Sequence, residues 1–144
     1  MRHAFLAAAL LFATAASAQD LDASKLYTLS TEGTSKSLKA GEKGTFVLSI
    51  TTTALAHVSD EAPLSLKLEG KNVTPLKSTL TVVDSVGKPA PGKSFKDPRF
   101  EVAITGAAAG EGSISAKVVF FVCTDKLCLR QQKSVSVPVS VRGS

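Results

Sequence analysis

The sequence contains few aromatic residues and almost no cysteine. It has no tryptophan, an aromatic fraction of 6%, and two cysteines in 144 residues. Single-stranded nucleic-acid binding relies on stacking aromatics and clustered positive charge, whereas the basic residues here are spread along the chain. Two cysteines also cannot complete a zinc site, which requires four ligands. Although the net charge is +5, we expect no nucleic-acid partner, no metal and no cofactor.

Long apolar runs are absent once the first eighteen residues are set aside. The segment Met1 to Ala18 has a short positive start at Arg2 and His3, then an apolar run, then the small residues Ala16-Ser17-Ala18. This is the pattern of a cleavable export signal, and the run is too short to span a bilayer. We predict a signal peptide over residues 1–18, a mature chain without a membrane span, and a periplasmic or secreted location. A cysteine pair can persist as a disulfide there.

The rest of the sequence alternates apolar and polar residues with a period of two, which is typical of half-buried β-strands. No window of ten or more residues after Ala18 shows a helical stripe. Segments rich in glycine and proline separate the stripes, as turns do. The seven expected strands include Leu26 to Ser30, Phe46 to Ile50, Leu64 to Leu68, Leu80 to Val83, Phe100 to Ile104, Ile114 to Val122 and Val135 to Val141.

About seven short strands in a chain of this length predict an all-β fold. An immunoglobulin-like antiparallel β-sandwich is the leading architecture, and a small barrel is the alternative. We assign residues 19–144 to this single domain, with its core roughly from 43 to 141. Pro138 cannot donate to a ladder, so we expect the last strand to be an edge there, or the proline nitrogen to face away from a neighbour.

The two cysteines lie where the longest stripe ends and the chain turns back. If Thr124 to Leu127 form a four-residue loop, Cys123 faces Cys128, and the same register pairs Ala116 with Val135. Any register of the same parity would also pair apolar residues with each other. By alternation, both cysteines lie on the face opposite the core stripe. We therefore expect the pair to be reachable from solvent or from a partner.

A disulfide across this hairpin would contribute little to stability. Closing a loop of about six residues removes only about 2 kcal/mol of unfolded-state entropy, and strained, exposed disulfides are the labile or catalytic ones. Lys126 and Arg130 would favour a thiolate, whereas Asp125 would oppose it. From the spacing alone, a redox pair and a structural staple in an immunoglobulin-like binding or scaffolding module are equally compatible with the sequence.

The hairpin resembles a known family. The segment Phe121-Val122-Cys123-Thr124-Asp125-Lys126-Leu127-Cys128, followed by a valine-rich strand through Val135 to Val139, is similar to the N-terminal periplasmic domain of the thiol:disulfide interchange protein DsbD. The resemblance implies that Cys123 and Cys128 cycle between dithiol and disulfide. It also implies protein partners with thiols or disulfides, among them a separate thioredoxin-like electron donor.

Further candidate residues surround the pair. Lys126, Asp125, Arg130 and Phe121 are expected to modulate the cysteines, and His57, the only histidine after the signal, can act as a base near a thiol or as a solvated loop residue. In the family an aromatic cap shields the disulfide. The nearest candidate for such a cap is the segment from Ala56 to Pro63, which contains no aromatic side chain.

Overall fold

The computed structural model describes residues 21–144, and the predicted signal peptide over residues 1–18 lies outside them. The described residues contain ten strands and no α-helix, with 3₁₀ turns at Ala23–Lys25 and Val82–Asp84. The strands are β1 (Tyr27–Ser30), β2 (Ser37–Lys39), β3 (Lys43–Thr52), β4 (His57–Val58), β5 (Ser65–Lys71), β6 (Val73–Pro75), β7 (Thr79–Thr81), β8 (Arg99–Gly106), β9 (Gly110–Cys123) and β10 (Cys128–Arg142).

Two packed sheets form the fold, which confirms the predicted β-sandwich. The first has the strand order β1-β3-β8-β6, and the second has the order β2-β10-β9-β5-β7, with β4 paired to β9. All seven predicted stripes fall in or overlap strands. The additional strands β2, β4 and β6 have two or three residues each, too few for a period-two pattern to be visible. One pairing, β2 with β10, is parallel rather than antiparallel.

The inward-facing stripes of the two sheets meet in one apolar core. Phe46, Phe100 and Phe120 are fully buried there, and the ring of Tyr27 packs edge-to-face on Phe120 with centroids 4.9 Å apart. The apolar core also includes residues before position 43, because the first 3₁₀ turn, β1 and β2 contribute to it. The buried apolar residues from this part of the chain are Ala23, Leu26, Tyr27 and Leu38.

The β9–β10 hairpin is the longest pairing, and it has the predicted register. Cys123 pairs with Cys128 at the loop end, and Ala116 pairs with Val135 further along. The alternation excludes a slip by one residue, which would move every apolar side chain of β10 to the outer face, and the four-residue loop selects this register among those of the same parity.

Pro138 lies where strand β10 has no neighbour on its second side. Among the described residues, β2 contacts β10 only at Ser140, Val141 and Arg142. The Ser140 N–H points away from β9 and donates to the Lys36 carbonyl at 2.9 Å. Successive residues of a strand direct their backbone groups to opposite sides, so the Pro138 nitrogen points the same way as that of Ser140. The prediction for Pro138 is confirmed.

Candidate functional site

Cys123 and Cys128 form a disulfide across the end of the β9–β10 hairpin, with their Cα atoms 4.0 Å apart. The loop is closed by a hydrogen bond from the Thr124 N–H to the Leu127 carbonyl at 2.9 Å. Because hydrogen-bonded and non-hydrogen-bonded pairs alternate, the two cysteines occupy a non-hydrogen-bonded pair, in which side chains approach each other most closely. The hairpin register therefore places the two sulfurs within bonding distance.

The two cysteines differ in their exposure to solvent. Cys123 is 3% exposed, whereas Cys128 is exposed. The expectation that the pair is reachable from solvent or from a partner therefore holds for Cys128 and is wrong for Cys123. The reason is strand β4, which pairs with β9 on the side opposite β10 and places His57 directly across from Cys123. The Ser59 N–H continues this pairing by donating to the Phe121 carbonyl at 2.9 Å.

His57 lies in a strand rather than in a solvated loop. Its backbone pairs with Cys123, so His57, Cys123 and Cys128 form one row across β4, β9 and β10, with side chains on the same face. The imidazole stacks on the ring of Phe95, with centroids 3.8 Å apart and an interplanar angle of 10°. The segment from Ala56 to Pro63 thus does flank the disulfide, and its aromatic partner comes from another loop.

Phe95 is a site residue that sequence reasoning missed. It belongs to the glycine- and proline-containing loop before β8, and its side chain stays 40% exposed although it stacks on His57. The sequence feature that could have indicated Phe95 is its position in a polar loop, outside every alternating apolar stripe. Its partner could not be found, because the loop and β4 are distant in the sequence.

A polar cluster anchors the loop on both sides of Phe95. The Asp97 carboxylate accepts hydrogen bonds from the Thr52 N–H at 3.1 Å and from the Thr52 hydroxyl at 2.7 Å. The Lys93 ammonium donates to the Thr52 hydroxyl at 3.0 Å and lies 3.4 Å from the Asp97 carboxylate. Since Thr52 is buried at the end of β3, this cluster ties the Phe95 segment to the body of the sandwich.

The other candidate residues divide into two groups. Phe121 and Arg130 are paired across β9 and β10, two residues along each strand from the cysteines and on the same face of the sheet. The Arg130 guanidinium donates to the Gln132 side chain at 3.4 Å. Asp125 and Lys126 are exposed at the loop tip, and none of the ion pairs among residues 21–144 includes them.

An exposed apolar surface lies beside the hairpin loop. Leu127, next to Cys128, is 43% exposed, and Leu55, two residues before His57, is 80% exposed. Together with Leu21 and Leu26, they line a groove that also includes loop residues 124–126. The sequence pattern did not indicate this groove, because its leucines come from three separate segments.

Two further properties concern the described part of the chain. Between residues 21 and 144, no helix has the length and apolar character needed to cross a membrane. The same residues contain no group of three or more histidine, cysteine, aspartate or glutamate side chains placed to hold a metal ion.

No protein-family model and no curated protein matches the chain. Among solved structures, a cohesin module from a Clostridium perfringens family 33 glycoside hydrolase is similar, with a TM-score of 0.51 and 10% identity over 83% of this chain and 99% of that one. Domains 4 and 5 of the S-layer protein SbsC have a TM-score of 0.37 and 19% identity, over 81% of this chain and 52% of that one. The CooA pilin subunit of enterotoxigenic Escherichia coli has a TM-score of 0.32 and 12% identity, over 81% of this chain and 98% of that one.

The cohesin likeness supports the immunoglobulin-like β-sandwich, and at this identity it shows the fold alone. Fold and site together define a class of protein: an all-β sandwich domain with a disulfide-bonded cysteine pair at the end of a long hairpin.

Proposed function

We propose that the protein is an exported thiol:disulfide exchange domain, similar to the DsbD N-terminal domain, which reacts with protein partners through Cys123 and Cys128. One observation supports this most directly: the disulfide joins an exposed cysteine to one that is 3% exposed. Exchange requires a thiolate to approach one sulfur along the S–S axis. Cys128 offers that approach, and Cys123 is then the leaving group.

The reductive half-reaction follows from this difference in exposure. A thiolate of a dithiol partner attacks the Cys128 sulfur, the S–S bond breaks, and Cys123 leaves as a thiolate that takes up a proton. The second thiolate of the partner then attacks the partner's sulfur in the mixed disulfide, and Cys128 is released as a thiolate. The domain gains two electrons and the partner becomes a disulfide. A thioredoxin-like protein is a suitable donor, and the reverse sequence passes the electrons to an acceptor.

His57 has a defined role in this scheme. It is the cross-strand neighbour of Cys123 on the same face of the sheet. It can therefore supply the proton that the leaving Cys123 thiolate takes up.

Two single-cysteine variants test the exchange. In Cys123→Ala the exposed Cys128 is free, and in the matched Cys128→Ala variant the buried Cys123 is free. We expect Cys123→Ala to form a mixed disulfide with oxidised glutathione at least about tenfold faster than Cys128→Ala, because thiol reactivity requires access. Equal rates, or a reduction potential of the native pair below about −300 mV, would argue against exchange.

The burial of Cys123 favours one second candidate, a structural disulfide in an exported binding or scaffolding module. The two candidates differ in the Cys123→Ala/Cys128→Ala double variant. A structural role predicts lower stability with partner binding intact. An exchange role predicts a folded domain that no longer transfers electrons between a reduced thioredoxin-like protein and a disulfide substrate.

A further inference from the structure

Strand β10 has an open edge beside the cysteine pair. Residues Cys128 to Val141 pair with β9 along one side, while β2 pairs only with Ser140 to Arg142 on the other. Within residues 21–144, no strand and no backbone hydrogen bond reaches the second side of β10 between Cys128 and Pro138. A long unpaired edge of this kind is a template for another strand.

The backbone groups on this edge can be assigned from the register. The Ser140 N–H and the Arg142 carbonyl both bond on the β2 side, so the even-numbered residues direct their backbone groups outward and the odd-numbered ones face β9. Five outward N–H groups follow, and one of the outward carbonyls, that of Arg130, already accepts from the Gln131 side chain at 2.9 Å. The five donors belong to Cys128, Arg130, Gln132, Ser134 and Ser136, all exposed.

The edge is protected from Pro138 onward, but it is open between Cys128 and Ser136. Proline and neighbouring segments are common ways of blocking an edge, and here Pro138 lacks the next outward N–H and β2 covers the residues after it. The open stretch therefore runs from Cys128 to Ser136. That is enough for a strand of ordinary length, about five or six residues.

The charge of the edge indicates what it receives. The open stretch from Cys128 to Ser136 carries Arg130 and Lys133 and no acidic residue. Pairing with the same edge of a second copy would place like charges on adjacent strands, which is destabilising. An acidic extended segment would instead be attracted to it.

We propose that this edge binds an extended, acidic segment of a partner protein by antiparallel strand addition, with a cysteine of the segment opposite Cys128. The addition of the strand does not depend on the proposed function, but the role of the partner cysteine does. Cys128 directs its backbone groups outward, so it forms a hydrogen-bonded pair with the added strand. The Cα atoms in such a pair are about 5.5 Å apart, which suits a disulfide.

The test uses the Cys123→Ala variant and a defined peptide. The probe is a synthetic peptide of about ten residues, alternating threonine and glutamate, whose central cysteine carries a thionitrobenzoate leaving group. A cysteine methyl ester with the same leaving group is the reference. Release of thionitrobenzoate measures the rate of mixed-disulfide formation with Cys128. We expect the peptide to react about tenfold faster than the reference, and N-methylation of the peptide amides that face β10 to remove this gain.

Two proline variants change the edge itself. Gln132→Pro and Ser134→Pro each remove one outward N–H, and native Pro138 shows that this parity of β10 accepts proline. Both should fold, as judged by circular dichroism, and lose the peptide gain while reacting normally with the reference compound. The matched Gln132→Ala variant should keep the gain. A gain that survives both proline substitutions overturns the proposal.

The remaining outcomes separate this inference from the proposed function. If the reference compound fails to react with Cys128, thiol exchange is wrong. Strand addition is then tested with a peptide in which serine replaces the cysteine. We expect this peptide to slow amide hydrogen exchange at residues 128–136 of the domain. If the domain alone forms a dimer that Gln132→Pro abolishes, the edge belongs to a second copy, and the proposed acidic partner is wrong.

Discussion

His57 lies directly across strand β9 from Cys128, with Cys123 between them as the neighbour of both. Cys123 therefore has strand β10 of its own hairpin as the neighbour on one side. On the other side its neighbour is the two-residue strand β4, which is distant in the sequence. This arrangement leaves Cys123 buried and Cys128 exposed. The two sulfurs of the disulfide therefore differ in how accessible they are to an attacking thiolate.

The disulfide should contribute modestly to stability. We expect the Cys123→Ala/Cys128→Ala variant to lose about 2 kcal/mol of unfolding free energy in urea denaturation, the loop-closure value for about six residues. Alanine is preferred to serine, because a hydroxyl at the buried position 123 would add a desolvation penalty. Neither cysteine belongs to the apolar core cluster, so a loss that abolishes folding would contradict this assignment.

The Phe95 ring should limit access to the buried side of the disulfide. In Phe95→Ala the His57 imidazole loses its stacking partner, and we expect reduction of the disulfide by dithiothreitol to become several-fold faster. The unfolding free energy should fall by only about 1 kcal/mol, since the ring is 40% exposed. Phe95→Tyr keeps the stack and should keep the slow rate. An unchanged rate in Phe95→Ala would show that the ring does not shield Cys123.

Asp97 should be more important to stability than its position in a loop suggests. Asp97→Ala removes the acceptor for the Thr52 N–H and hydroxyl, and it removes the carboxylate that pairs with the Lys93 ammonium. We expect a cost of about 2 to 3 kcal/mol from the unpaired groups. Since the same cluster anchors the Phe95 loop, disulfide reduction should also become faster.

Glu101→Ala is the matched control for Asp97→Ala. Glu101 pairs with Arg99 in an exposed ion pair, and we expect its removal to change the unfolding free energy by less than about 1 kcal/mol. Equal effects of the two substitutions would mean that the Thr52 cluster is not a structural anchor.

Gly70 should be intolerant of any side chain. A Cβ atom there would overlap the Val73 carbonyl oxygen, a backbone atom that moves only with the β5–β6 connection. We expect Gly70→Ala to cost about 3 kcal/mol, at the upper end of overpacking effects. Gly143→Ala, where nothing lies within 4 Å, should be neutral. Both values are measured by thermal or urea denaturation.

Much of the site could be predicted from local patterns. The alternation from Ile114 to Val122 and from Val135 to Val141 limited the hairpin to registers of one parity, and the assumed four-residue loop then aligned Cys123 with Cys128, as the structure has it. Pro138 was placed correctly at an edge for a similar reason, since its missing N–H is a local property. The burial of Cys123, the strand at His57 and the stack with Phe95 were not predictable in this way.

The sequence by itself determined the seven longer stripes, the all-β class and the parity of the cysteine hairpin, because each depends on residues a few positions apart. The tertiary structure decided which cysteine is covered, which loop supplies the aromatic ring, and which edge of β10 stays open. These features depend on contacts between segments that are distant in the chain. A two-residue strand such as β4 also has no periodicity of its own, and only the pairing with β9 defines it.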